Sequence, residues 1–210
     1  MQTASEIKDN KPDQLDTLIY RYSHVSPWSY FGHRRVLQLA AEAGVAIDCV
    51  PVSLGMILPH TGGLPLAKRS AQRKAYRLQE LDRWMRALDM PVNREPAYFP
   101  TDDTVSGRMA SLARAEGRPI GDLSEAFMRA CWVEQRDIAD QATVIAIADA
   151  NGFDGADLYA RAMTDAGLAL LQQQSQDAVD AGCFGAPWYQ WRDQAFWGQD
   201  RLDQLAAALR

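Results

Sequence analysis

Residues 17–54, TLIYRYSHVSPWSYFGHRRVLQLAAEAGVAIDCVPVSL, decide the fold of this chain. Their first part, TLIYRY, is rich in β-forming residues. Ser26-Pro27 then supplies a capping residue followed by proline, which predicts a helix that ends at Gly44. The next residues, VAIDCVPV, alternate in hydrophobicity up to Pro51 and predict a second strand. A strand, a helix and a strand in this order form a βαβ unit, whose strands run parallel through a right-handed crossover.

Downstream of this unit the sequence predicts a long run of helices. The segment from Gly55 to Gly63, GMILPHTGG, has the composition of a loop, and Lys68 to Leu88 is expected to be a charged helix. The proline-broken text PVNREPAYFPTDD predicts another loop. Five further helices are expected around residues 105–116, 123–133, 141–151, 154–166 and 166–180.

The strand signal returns only near the C-terminal end. APWYQW and AFWG predict a hairpin whose turn is Arg192-Asp193-Gln194, and DRLDQLAAALR predicts a closing helix with its leucines on one face. The order βαβ, helical block, ββα is that of an α/β thioredoxin fold with a large all-helical insertion, the DsbA-like variant. The expected units are a flexible arm over residues 1–16, a thioredoxin-like domain over 17–54 and 182–210, and an inserted helical domain over 55–181.

The composition argues against several classes of function. The chain has 210 residues, 47% of them hydrophobic, and its formal charge of -5 leaves no excess of base for nucleic acid. No run approaches the roughly 18 apolar residues of a membrane span, and the polar first residues lack the apolar segment of a secretion signal. We therefore expect a cytoplasmic protein with no membrane partner. Three cysteines and three histidines, scattered without ligand spacing, predict neither a disulfide framework nor a metal site.

The start of the first helix is the first candidate for chemistry. In a thioredoxin fold the reactive group lies there, because free backbone N–H groups and the helix dipole stabilise a thiolate. Here the text is Ser26-Pro27-Trp28-Ser29, which has the spacing of a Cys-x-x-Cys motif with both sulfurs replaced by oxygen. This chain therefore cannot cycle a disulfide at that place. The alternative is that Ser26 only caps the helix.

Two further candidates lie near the C-terminal strands. Ala186-Pro187 precedes the third strand, where this fold carries a cis-proline whose neighbouring backbone can pair with an extended peptide. A trans proline that opens the strand is the alternative. At the last helix, free amide N–H groups can take the carboxylate of a γ-glutamyl group and Asp200 its ammonium, or Gln199 and Asp200 only cap the helix.

Three stretches together resemble a known family. YSHVSPWSYFG, RACWVEQRDIAD and GCFGAPWYQWRDQAFWGQDRLDQL are similar to the 2-hydroxychromene-2-carboxylate isomerases and the kappa-class glutathione transferases, over about residues 17–209. The resemblance implies glutathione as the cofactor and a homodimer. It also implies that Ser26 activates the glutathione thiol, that Ala186 beside Pro187 pairs with the cysteinyl backbone, and that Asp200 with Gln199 binds the γ-glutamyl end.

The substrate half of the site is less determined. Trp28 and Tyr30 flank Ser26 and are expected to contact the substrate, and Tyr76 is either a pocket residue or a core residue. Cationic donors for a substrate carboxylate are sought on the helix after the Gly/Pro loop, with Lys68 first and Arg69, Lys74 and Arg77 beside it. The text Thr61-Gly62-Gly63-Leu64-Pro65 departs from the Gly-Asn-x-Pro loop usual in the family, so the sequence leaves the substrate open.

Three functions stay open at this point. In the isomerase, glutathione thiolate adds reversibly to a small aromatic or conjugated carbonyl substrate of the kind met in aromatic degradation. In a kappa-type transferase the conjugate is the product. The third is a non-catalytic domain that binds thiol peptides, and a disulfide oxidoreductase would need the cysteine pair that is absent here.

Overall fold

The computed structural model describes residues 16–210 and is built around a four-stranded mixed sheet with strand order β2-β1-β3-β4. Strands β1 (Thr17–Tyr22) and β2 (Ala46–Pro51) are parallel and are joined by helix α1 (Pro27–Ala43), as predicted. Strand β3 (Trp188–Trp191) is antiparallel to β1, and β4 (Gln194–Trp197) is antiparallel to β3. The flexible arm predicted for residues 1–16 falls, apart from its last residue, outside the described residues.

Local chemistry explains why α1 begins and ends where it does. Ser26 is its N-cap, with the Oγ accepting a hydrogen bond from the Ser29 N–H at 3.1 Å, and Pro27 occupies the first helical position. Gly44 ends the helix with a left-handed φ of 67°, a conformation that costs glycine little. One face of α1 buries Phe31 and Val36 in the main apolar core, so the helix is fixed onto the sheet.

The chain between β2 and β3 is mainly helical, and its longest non-helical connection covers residues 89–103. A 3-10 turn at Leu66–Lys68 precedes helix α3 (Ala71–Leu88), and after β4 another at Gln199–Arg201 precedes helix α9 (Leu202–Ala208). The remaining helices are α2 (Leu54–His60), α4 (Thr104–Ala115), α5 (Gly121–Trp132), α6 (Gln141–Ala150), α7 (Gly155–Ala162) and α8 (Asp165–Asp180). Within residues 16–210, no helix combines the length and the apolar character needed to cross a membrane.

The loop predicted for residues 55–63 was wrong, because α2 occupies most of it. Ile57 is fully buried against Val52 and Ala178 in a second apolar cluster, and this burial favours a helical turn over a loop. Pro59 lies in the last turn of α2, where its missing N–H removes only one helical hydrogen bond. Composition alone pointed to a loop since it carries no information about long-range burial.

Two element boundaries also differ from the prediction. Helix α3 begins at Ala71 instead of Lys68, because the Ser70 Oγ accepts from the Arg73 N–H and so supplies the cap. In the hairpin only Arg192 and Asp193 form the turn, and Gln194 pairs with Trp191. The order of strands nevertheless brings the end of β1, the start of α1 and the segment before β3 to one edge of the sheet.

Candidate active site

Ser26 lies where the first strand and the segment before the third strand meet. Its Oγ accepts the Ser29 N–H at 3.1 Å and donates to the Ala186 carbonyl oxygen at 3.1 Å, and the residue is only 3% exposed. The predicted serine and the predicted peptide-pairing backbone are thus in direct contact. What the sequence did not reveal is that the hydroxyl proton already has an acceptor.

The backbone around Ala186 has the geometry that peptide pairing requires. The Ala186-Pro187 bond is cis, as predicted, which excludes the trans alternative. Within residues 16–210 the Ala186 N–H makes no hydrogen bond, whereas the Pro187 carbonyl accepts from the Gly198 N–H at 3.0 Å. A side chain at Gly185 would meet the Trp197 indole nitrogen at 2.8 Å, so glycine is needed for the close approach of the indole to this turn.

A cleft of about 340 Å³ joins this turn to the start of the last helix. It is lined by Trp28 and Ala186 on one side and by Asp200 on the other. Gly198 has a φ of 101°, and a Cβ there would collide with the Asp200 carboxylate. The buried Gln199 also lines the cleft, but its Oε1 accepts from Arg35 at 2.6 Å, so its side chain is already fixed.

A second cavity, of about 360 Å³, lies on the other side of Trp28 and includes Ser26 in its wall. Most of its wall is apolar, and no aspartate or glutamate is among the residues that line it. Its polar contributions come chiefly from Ser26, Thr101, Arg69 and Arg77. The two spaces adjoin each other, and Ser26 lines only the second; their walls share Trp28, Ala186 and Trp197.

The structure separates the four predicted substrate contacts. Trp28 lines both spaces, and Tyr76, 57% exposed, lies at the rim of the cleft. Tyr30 is 3% exposed and packs beside Phe31 in the core, one helical turn beyond Ser26, so it lines neither space. Lys68, in the 3-10 turn that precedes α3, is exposed and also lines neither space.

Arg77 occupies the position in the cavity for which Lys68 was the first candidate. Its guanidinium carbon lies 5.5 Å from the ring centre of Phe99 and 5.7 Å from that of Trp132. Burial, and then the positive charge of Arg69, lower the pKa of Arg77 to about 10. The spacing of basic residues along the helix suggested all four candidates, but only the tertiary fold selects among them.

A half-buried carboxylate supports the loop that carries Ser26. The Asp103 Oδ2 accepts from the Ser23 Oγ at 2.6 Å and from the Val25 N–H at 3.4 Å, and burial raises the pKa of this carboxyl. His24 lies between Ser23 and Val25 in the chain, and its Nδ1 makes a hydrogen bond of 2.9 Å with the Ser106 hydroxyl. Burial lowers the pKa of His24 to about 3, so the ring is neutral. Nothing in the sequence linked Asp103 to this loop, which lies about eighty residues earlier.

The cysteines contribute no thiol to this site. All three are free, and burial raises the pKa of Cys49 and of Cys131 to about 12. The buried Cys183 Sγ makes a hydrogen bond of 3.3 Å with the Gly185 carbonyl. Within residues 16–210 no group of three or more histidine, cysteine or acidic side chains is placed to hold a metal ion.

A larger cavity of about 650 Å³ lies elsewhere, between β2 and the turn that joins α4 to α5. Its charged groups already have partners. Arg114 forms two hydrogen bonds of 2.5 and 2.6 Å with Asp48, and Arg118 stacks 3.8 Å from the ring centre of Phe153. The size of this cavity alone does not make it the active site. Two polar groups that lack partners among the described residues, the Ala186 N–H and the Arg77 guanidinium, belong to residues that line the cavity of Ser26.

Comparisons with known proteins agree with this geometry. A family model described as a DSBA-like thioredoxin domain matches residues 17–210. A 2-hydroxychromene-2-carboxylate isomerase of Sphingobium xenophagum is 27% identical over 198 residues, which cover 92% of this chain and 97% of the relative. A glutathione S-transferase kappa 2 of Caenorhabditis elegans is 22% identical over 197 residues, 88% of each chain. A solved 2-hydroxychromene-2-carboxylate isomerase matches with a TM-score of 0.77 and 20% identity, covering 92% of this chain and 94% of the other. The predicted fold and the predicted resemblance are confirmed.

Proposed function

This chain belongs to the family of DSBA-like thioredoxin domains, and from that premise we propose that it is a glutathione-dependent isomerase of the 2-hydroxychromene-2-carboxylate isomerase type. Its relatives are named as isomerases and as a glutathione transferase. The observation that carries the proposal is the hydrogen bond from the Ser26 hydroxyl to the Ala186 carbonyl. It places a hydroxyl donor beside the backbone group that would hold the cysteinyl residue of glutathione.

Glutathione would bind to Ala186 as a short added strand. The free Ala186 N–H donates to the cysteinyl carbonyl, and the Ala186 carbonyl accepts the cysteinyl N–H. The γ-glutamyl end then lies in the cleft, where Asp200 takes its ammonium and the backbone beside Gln199 its carboxylate. In this division residues 17–54 and 182–210 hold glutathione, and the inserted residues 55–181 supply both guanidinium groups of the second cavity.

Ser26 activates the thiol by exchanging its hydrogen-bond acceptor. When the cysteinyl N–H occupies the Ala186 carbonyl, the Ser26 O–H turns to the sulfur, while the Ser29 N–H keeps the Oγ in place. A hydrogen bond to a charged group contributes roughly 1.5–3 kcal/mol, which lowers a thiol pKa of about 8.5 by about one to two units. The start of α1 adds its dipole, so a large fraction of bound glutathione is thiolate near neutral pH.

The reaction is a reversible addition. The thiolate forms a C–S bond to the conjugated carbon of the acceptor, and the electron pair of the double bond moves to the carbonyl oxygen. The former double bond rotates as a single bond. When the electron pair returns, the C–S bond breaks, so the isomerised product and glutathione thiolate leave with no net gain or loss of atoms.

A kappa-type transferase shares every step up to the adduct, and the relative from Caenorhabditis elegans favours it as the second candidate. A domain that only binds thiol peptides is the third, and it would show affinity without turnover. We further propose that the protein is a cytoplasmic homodimer that takes part in the degradation of aromatic compounds, in line with the isomerase relatives.

Product analysis tests the proposal. The enzyme is incubated with glutathione and a conjugated aromatic ketone, and the products are separated by mass spectrometry. The expected result is an isomer of unchanged mass, formed with glutathione undiminished and at least about tenfold more slowly by Ser26→Ala. A product heavier by one glutathione identifies the transferase. If neither product forms although glutathione binds measurably, the protein is a domain that only binds thiol peptides.

A further inference from the structure

Arg77 is a half-buried cation without an anionic partner among residues 16–210. Its Nη2 is enclosed and has no hydrogen-bond partner there. The strongest charge that influences it is that of another cation, Arg69, whose Nε donates to the Leu64 carbonyl at 2.8 Å. Glu80, one turn along the same helix, forms its ion pair with Arg83. A desolvated cation in this state favours an external anion strongly.

The surroundings of Arg77 indicate which anion fits. Its planar group lies near the rings of Phe99 and Trp132, and the cavity beyond it is walled mainly by leucines, prolines and aromatic side chains. A volume of about 360 Å³ suits one small planar molecule. A guanidinium offers two parallel N–H groups, which match the two oxygens of a carboxylate.

We propose that Arg77 is the residue that binds the carboxylate of the acceptor, the conjugated acid that the proposed isomerase reaction already implies. This inference rests on the proposed function of the same site, because it assigns a binding residue to the second substrate of that reaction. Ser26 and Arg77 line the same cavity, so a carboxylate on Arg77 orients the conjugated part of the acceptor toward the glutathione sulfur. Arg69 adds a second positive charge at the cavity wall.

The glycyl carboxylate of glutathione is the competing anion. The apolar and aromatic walls favour a planar acid over a flexible peptide end, since ring burial adds to the ion pair. A charge-assisted contact of this kind is expected to favour an acid over its neutral isostere by about ten- to a hundredfold.

The test uses naphthalene-2-carboxylate and its neutral isostere naphthalene-2-carboxamide, without glutathione. Binding is measured by calorimetry on the wild-type chain, Arg77→Met, Arg77→Lys and the control Arg86→Met, whose side chain is exposed on the same helix. We expect the wild type and Arg86→Met to bind the acid at least about tenfold more tightly than the amide. Arg77→Met should lose that preference, and Arg77→Lys should retain part of it.

Equal binding of acid and amide by the wild type would overturn the proposal without any variant. So would a preference that survives in Arg77→Met. A second arm compares glutathione with its glycyl ethyl ester. If Arg77→Met abolishes the discrimination between these two, Arg77 serves the peptide end and the proposal fails. Because the first arm contains no glutathione, its result is independent of whether Ser26 activates a thiol.

Discussion

Replacing Ser26 by alanine separates helix capping from thiol activation. The change deletes the acceptor of the Ser29 N–H and the donor to the Ala186 carbonyl, two bonds of 3.1 Å each. Loss of such a cap costs about 1 kcal/mol of folding stability. If the hydroxyl also donates to the thiolate, the pKa of bound glutathione rises by about one to two units. Turnover near neutral pH should then fall about ten- to a hundredfold.

The assay is the ultraviolet absorbance of the thiolate, titrated against pH with each protein saturated with glutathione. Thr164 is the matched control, because its Oγ1 also caps a helix, accepting from the Gly167 N–H at 3.3 Å and donating to the Arg161 carbonyl at 2.7 Å. Thr164→Ala should lose similar stability and keep the wild-type titration curve. Identical curves for wild type and Ser26→Ala would reduce Ser26 to a helix cap and refute the mechanism.

Three further changes probe the surroundings of the site. Asp103→Asn should lower kcat several-fold with glutathione affinity retained, because the loop before α1 loses part of its support; unchanged steady-state kinetics would contradict this. Since burial lowers the pKa of His24 to about 3, the unfolded chain binds a proton below about pH 6.5 that the folded chain does not, and stability falls as pH drops. Between about pH 8 and pH 5 this protonation lowers the free energy of unfolding by about 2 kcal/mol, and urea unfolding of His24→Gln should not show this decrease. Gly198→Ala, which collides with Asp200 at a φ of 101°, should weaken glutathione binding in calorimetry, whereas Gly182→Ala, at a φ of 80° in open space, should not.

The features that the sequence predicted well depend on residues close together in the chain. Ser26-Pro27 marks a helix start through its own cap and its own fixed φ, and Gly44 marks the end in the same way. The order strand, helix, strand within residues 17–54 predicted that β1 and β2 run parallel, as they do. The cis bond before Pro187 was predicted from the position of that proline in the fold.

The features that the sequence did not predict depend on contacts between residues that are far apart in the chain. Helix α2 exists because Ile57 packs against residues more than a hundred positions later. Asp103, at the start of α4, supports the loop before α1 although about eighty residues separate them in the chain. The choice of Arg77 over Lys68 depends on how α3 packs, because the Arg77 guanidinium lies over the rings of Phe99 and Trp132. Each of these needs the tertiary structure, since the local sequence fits more than one outcome.

The bond between Ser26 and Ala186 connects binding to activation. In the free protein the serine proton is held by a carbonyl, so the hydroxyl is positioned without being available to other acceptors. Only a ligand that supplies an N–H to the Ala186 carbonyl and a sulfur beside Ser26 satisfies both groups at once. A peptide thiol does so, whereas a small thiol without an amide leaves the carbonyl competing for the proton. In the proposed mechanism the site therefore selects a thiol within a peptide, and a serine in place of cysteine keeps that thiol free to leave after each turnover.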